Sequence, residues 1–167
     1  GSIKRKYMRK KTYCFLYPRY RAGSFLKSSD LRAYVFHKKF HFDAWVALYK
    51  NDDSYPTLEQ EEKGLRIEAV RNTGDEFKDR LFYVWKNARR IDVLEVAFCQ
   101  ERTYLCALLY KVLNPRGKAI LFADFSYPNE VELLRRREKQ HWRYLLHKLC
   151  VKGLFTARIV ETSLYAE

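Results

Sequence analysis

Short apolar runs, each the length of one strand, recur along this chain, with helix-like stretches between most of them. The runs are Tyr13–Tyr17 (YCFLY), Phe42–Tyr49 (FDAWVALY), Leu65–Val70 (LRIEAV), Ile91–Phe98 (IDVLEVAF), Lys118–Asp124 (KAILFAD) and Leu154–Val160 (LFTARIV). Helices are predicted from about Leu31 to Phe40, with Asp30 as cap, and from Thr73 or Asp75 to about Arg90. In the second of these, Phe77, Leu81, Val84, Trp85 and Ala88 share helical spacing. A third helix is predicted over Glu101–Leu113, with Tyr104, Leu105, Leu108, Leu109 and Val112 facing inward. A fourth runs roughly from Asn129 to Lys152 and stops at Gly153. Asn51–Gly64 is polar and reads as loop, and Asn114-Pro115-Arg116-Gly117 reads as a turn.

Strands that alternate with helices require a mostly parallel sheet covered on both faces. Right-handed crossovers then leave few topologies. The predicted fold is therefore α/β, a Rossmann-like three-layer α/β/α sandwich whose mostly parallel sheet has about six strands. A length of 167 residues suits one domain, and 47% apolar residues suffice for a core. Residues 1–11 read as a tag remnant (Gly1-Ser2) and a basic lead-in, and 12–167 as the domain. No apolar run approaches the roughly 18–20 residues that cross a bilayer.

Cys14, Cys99, Cys106 and Cys150 form no C-x-x-C and match no zinc spacing, so they read as reduced core thiols in a reducing cytoplasm. His37 and His41 straddle a helix–strand junction, which argues against a shared metal. No G-x-G-x-x-G, P-loop, G-x-S-x-G or H-E-x-x-H motif is present. The chain carries 33 Lys and Arg against 20 Asp and Glu, a net charge of +13, and should be drawn to polyanions.

Ligands of an open parallel sheet bind beyond the carboxyl ends of its strands. That rule selects Arg19, Arg21, Gly23 and Ser24 after the first strand, Lys50 after the second and Asn72, Thr73 and Gly74 after the third. It adds Gln100 and Arg102 after the fourth and Asp124 at the end of the fifth. Arg19 and Arg21 suit a phosphate or a sugar acid. Asp124 suits a base, a grip on sugar hydroxyls, or a cap on the segment that follows. On the predicted fourth helix, Trp142, Leu145, Leu146 and Leu149 share one face, while Arg135, Arg136, Lys139, Arg143 and Lys148 form a cationic surface. Such a surface is either a solvated face or a contact for anionic lipid headgroups.

Several stretches resemble one family. Trp45–Asp53 (WVALYKNDD), Asn72-Thr73-Gly74 with Phe77, Lys86-Asn87-Ala88 leading into Ile91–Leu94, and Tyr110–Lys118 (YKVLNPRGK) are similar to the N-terminal domain of bacterial GT-B fold glycosyltransferases, retaining and family-4-like. Val160-Glu161-Thr162 with Leu164-Tyr165 resembles the point where that domain meets the next. The resemblance implies the acceptor-binding half of a hexosyltransferase-like enzyme of polysaccharide or glycoconjugate assembly. Its partner would be an absent C-terminal domain that binds the nucleotide-sugar donor, and this chain alone would hold no cofactor, no metal and no activity. The acceptor would be a glycan, glycolipid or glycoprotein, met in the cytoplasm at the inner membrane face. The chain departs from the family after strands one, four and five, so no catalytic residue is carried over. The alternatives are a non-catalytic Rossmann-like scaffold and a polyanion-binding module. Against nucleic acid as partner, no helix-turn-helix, RNA-recognition or zinc signature is present.

Overall fold

A computed structural model describes residues 9–17, 28–49, 65–97, 101–124, 149 and 152–161. The strands are β1 (Thr12–Tyr17), β2 (Asp43–Tyr49), β3 (Arg66–Val70), β4 (Val93–Ala97), β5 (Lys118–Asp124) and β6 (Ala157–Glu161). The helices are α1 (Ser28–Lys38), α2 (Glu76–Asn87, extended by a 3-10 turn at Ala88–Arg90) and α3 (Glu101–Leu113). The strands lie in the order β3-β2-β1-β4-β5-β6, and every neighbouring pair is parallel. This order, with the chain working outward in both directions from β1, is that of Rossmann-type sheets. The expectation of an α/β fold on a parallel sheet is met.

Strand side chains alternate between the two faces, and the core divides accordingly. Cys14, Leu16, Trp45, Ala47, Leu94, Val96, Ala119 and Leu121 pack with Tyr83, Val84 and Ala88 of the α2 segment and with Cys106, Ala107 and Tyr110 of α3. Tyr13, Phe15, Val46, Leu48, Ala97 and Phe122 pack with Ala33 and Phe36 of α1. Cys14 and Cys106 are free, buried thiols. Burial holds the thiolate form out of reach at both, pushing Cys106 up to about 11 and Cys14 well above its ordinary value. Cys99 and Cys150 lie outside the described residues.

Phe77, Leu81, Val84 and Ala88 of α2 and Tyr104 and Leu109 of α3 face the core as predicted, while three residues of α3 and one of α2 do not. In α3, Leu105, Leu108 and Val112 stand 48%, 45% and 67% exposed, while Thr103, Tyr104, Cys106, Ala107 and Tyr110 are buried. The helix is apolar nearly all round, so period alone does not choose its inner side. Cys106 and Ala107 are small enough for close approach to the sheet, and the Tyr110 hydroxyl reaches the carbonyls of Ile91 at 2.9 Å and Asp92 at 3.2 Å. In α2, Trp85 is exposed against Phe82, and Tyr83 takes the inner position. The Tyr83 hydroxyl accepts from Trp45 Nε1 at 2.9 Å and donates to Glu68. A polar partner beneath the helix therefore draws tyrosine in ahead of tryptophan.

The cap of α2 is Asp75, whose side chain accepts from Lys78 N at 3.1 Å. In α1, Asp30 falls inside the helix, which begins at Ser28. Of the predicted fourth helix, only Leu149, Lys152 and Gly153 are described, all three as helical. Beyond it, Phe155 packs edge-on to Tyr104 with centroids 6.1 Å apart. At the amino edge of the sheet, Thr12 locks β1 to β4. Its N–H donates to Asp92 Oδ2 at 2.8 Å, and its hydroxyl donates to Arg90 O at 2.6 Å.

Candidate functional site

Adjacent strands β1 and β4 send their helices to opposite faces: α1 packs on one, α3 on the other. A strand pair whose following helices lie on opposite faces is the place where open α/β sheets bind ligands. Arg32, in the second turn of α1, stands on the α1 side of this pair. It is held from below by Glu95, the middle residue of β4. With Val93 and Ala97 on the same side of the strand, Glu95 must point at the α1 face.

The Glu95 carboxylate has no exposed surface. Oε1 accepts from Arg32 Nε at 2.7 Å, with Arg32 Nη2 at 2.6 Å, and Oε2 accepts a short hydrogen bond from the Tyr13 hydroxyl. The Arg32 guanidinium lies 4.1 Å from the Phe122 ring centroid and 6.0 Å from that of Phe15. Tyr13 in turn stacks on Phe36 at 4.2 Å. Burial pushes the Glu95 carboxyl above its usual range, and the pull of Arg32 and Tyr13 in the other direction does not cancel it. Burial also pushes the Tyr13 hydroxyl well up, so it remains a donor. Glu95 is closed to solvent and acts through Arg32. The arrangement fixes one guanidinium in place, with two aromatic rings on its flanks.

A second cluster follows β3. Asp79, buried in α2, accepts from Thr73 N at 2.8 Å, from Thr73 Oγ1 at 2.8 Å and from Arg71 Nε at 2.7 Å. The Arg71 guanidinium lies 3.7 Å from the Phe82 centroid. Gly74 takes a φ of +92°, and its N–H donates to Asn72 Oδ1 at 3.2 Å. These bonds fold the chain from β3 into α2. Burial raises the Asp79 carboxyl, but the bonds from Thr73 and Arg71 outweigh it and hold the group below its ordinary value.

A carboxylate lowered in this way stabilises the fold above its unfolded pKa of about 4, and the contribution is lost as pH falls through the folded value. Urea midpoints measured from pH 7 downward should therefore drop on the acid side. Asp79→Asn should be less stable at neutral pH and show a shallower acid limb. An identical slope in the two proteins would remove Asp79 from this role.

The predicted rim residues divide three ways. Arg19, Arg21, Gly23, Ser24, Lys50 and Gln100 lie outside the described residues, as do Arg135, Arg136, Lys139, Arg143 and Lys148. Asn72, Thr73 and Gly74 sit at the rim, with the Thr73 hydroxyl and N–H both committed to Asp79. Arg102 is exposed in the first turn of α3, its guanidinium 5.7 Å from the Phe77 ring. Arg102 and the Asn72–Gly74 turn thus flank the same first turn of α2. Asp124 ends β5 opposite Glu161 of β6, and its side chain is not among those described. Arg32, Glu95 and Tyr13 were not among the predicted residues. Their sequence signal is an acid in the middle of an apolar strand (IDVLEVAF), which in a sheet covered on both faces needs a buried cation.

Among the described residues no group of His, Cys, Asp and Glu could hold a metal, and no helix is long and apolar enough to cross a membrane. Comparison with known proteins finds no matching family model, no matching curated protein and no matching solved structure.

Proposed function

We propose that this chain forms a three-layer Rossmann-like sandwich and is the acceptor-binding half of a GT-B fold glycosyltransferase, with the nucleotide-sugar donor held by a second domain. The observation that carries the reading is Arg32, fixed by a fully buried carboxylate beside the point where the helices after β1 and β4 go to opposite faces of the sheet. Acceptor binding needs rigid donors that take sugar hydroxyls or a sugar carboxylate without rearranging. A guanidinium locked by Glu95 and packed against the buried rings of Phe15 and Phe122 meets that need. Arg32 would then orient the acceptor hydroxyl, and the donor half would stabilise the departing diphosphate. The work would take place in the cytoplasm at the inner membrane face, on a glycan, glycolipid or glycoprotein acceptor.

The test is NMR titration of the whole chain with neutral and acidic oligosaccharides, and separately with nucleotide sugars. Oligosaccharides should shift the Arg32 side-chain signals and those of neighbouring amides in wild type, and Arg32→Met should lose the response while keeping a dispersed spectrum. Sub-micromolar binding of a nucleotide sugar by this chain alone would place the donor site here and overturn the assignment.

A further inference from the structure

We propose that the amino edge of the sheet, where exposed cations from four neighbouring strand entries form one row beside an exposed phenylalanine, docks on an anionic lipid bilayer. A parallel sheet sorts the connections: every helix-to-strand turn emerges at the amino edge and every strand-to-helix turn at the opposite rim. The basic residues of those turns are thereby gathered on one side. Lys39 precedes β2, Lys10 and Lys11 precede β1, Arg89 precedes β4, and Arg116 and Lys118 stand at the entry to β5. All six are exposed. Backbone bonds across the edge hold the entries in register: Asp43 N donates to Lys11 O at 2.9 Å, and Lys118 N donates to Asp92 O at 2.9 Å. With strands about 4.8 Å apart, the four entries span roughly 15 Å.

Cations at helix C-termini are ordinary, since they offset the helix dipole. Lys38, Lys86 and Lys111 serve that need, and Lys111 Nζ donates to the carbonyls of Pro115 at 2.9 Å and Gly117 at 2.6 Å. The six cations of the row are additional to these, and none has an acidic partner among the described residues. The described carboxylates at this edge are already engaged. Asp92 holds Thr12, Glu68 takes Arg90 and the Tyr83 hydroxyl, and Asp43 lies 3.6 Å from Arg66. Beside the row, the turn through His41, with φ of 57°, leaves Phe40 59% exposed.

A lipid surface fits this combination better than nucleic acid does. Phosphates bound in close register would meet the C-termini of α1, α2 and α3, whose partial negative charge opposes them. A diffuse anionic surface held off by extended Lys and Arg side chains avoids that contact, and a lone phenyl ring can enter the acyl boundary. Single-strand recognition instead stacks successive bases on several aromatic rings. Among the described residues the exposed large aromatics are Phe40 and Trp85, and they stand on different elements, Phe40 in the turn before β2 and Trp85 on α2. The proposal uses the fold and its charges and is independent of the acceptor assignment.

The test is flotation of the whole chain with vesicles of phosphatidylcholine containing about one-third phosphatidylserine, beside pure phosphatidylcholine and duplex and single-stranded oligonucleotides. The chain should bind the anionic vesicles, ignore the neutral ones and release as salt is raised. Each cation near such a surface is worth about fivefold in partitioning. Lys10→Ser, Lys11→Ser, Arg116→Ser and Lys118→Ser combined should therefore weaken binding by about two orders of magnitude or more. Phe40→Ser should weaken it further without altering the salt dependence, and Arg102→Ser, at the opposite rim, should have little effect. Circular dichroism checks that each variant is folded. The proposal is overturned if the combined variant binds as wild type does, if oligonucleotides are preferred to vesicles, or if only the loss of Arg135, Arg136, Lys139, Arg143 and Lys148 abolishes binding. No sugar is present, so the outcome is read separately from acceptor binding.

Discussion

Gly117→Ala should lower the unfolding free energy by about 3 kcal/mol, the upper range for forcing an extra carbon into a packed site. A Cβ there would stand 2.1 Å from the Tyr110 hydroxyl oxygen, 2.6 Å from its Cζ and 2.8 Å from Asn114 Nδ2. None of these atoms is at the free end of a flexible chain. Tyr110 is fully buried and bonded to the carbonyls of Ile91 and Asp92. The Asn114 amide donates to Ala88 O at 3.0 Å and Ile91 O at 2.8 Å, and its Oδ1 accepts from Gly117 N at 3.0 Å. Moving either side chain breaks the bonds that close the 3-10 turn and aim the chain into β4. Urea unfolding measures the effect directly. Tyr110→Phe in the same chain should recover only part of the loss, because Cζ stays in the way and the two carbonyls lose their donor. A loss below about 1 kcal/mol would mean the turn simply opens to admit the methyl group.

The second large effect belongs to the buried pair. Removing one member of a buried ion pair strands the other, at a cost of about 3–5 kcal/mol. Arg32→Met and Glu95→Gln should each approach that cost, as measured by urea unfolding. Glu95→Gln retains a partner for Tyr13 and should be the milder change. The double variant should recover much of the loss, since two neutral groups of similar shape tolerate burial. Additive losses would show that Arg32 and Glu95 do not depend on each other. The pH response differs in sign from that of Asp79. Glu95 is raised, so between its unfolded and folded values stability falls as pH climbs. Replacing Glu95 therefore makes the net acid limb steeper, and replacing Asp79 makes it shallower.

Much of the architecture was legible in the sequence because the apolar runs and their spacing are local signals. The runs from Tyr13 and from Lys118 and the helix over Glu101–Leu113 could each be read within a few residues, and of the two caps open for α2, Thr73 and Asp75, the structure uses Asp75. What failed depended on contacts distant in the chain. The inner face of α3 is selected by carbonyls of Ile91 and Asp92, which no periodicity within the helix encodes. Trp85 gives way to Tyr83 because Trp45 and Glu68, from two other strands, offer the hydroxyl its partners. The Asn72–Gly74 turn was placed at the rim correctly, but the commitment of Thr73 to Asp79 appears only once α2 folds back over the turn. Arg32 and Glu95 are 63 residues apart. Only the strand order that sets β1 beside β4 brings them together, and with them the candidate site.

That strand order also separates two kinds of evolutionary freedom. Turns that follow helices and turns that follow strands end up about 20 Å apart, on opposite sides of a rigid slab. Substitutions accumulating in one set are mechanically insulated from the other. Residues of either set can change while the backbone that carries the other stays where the sheet holds it.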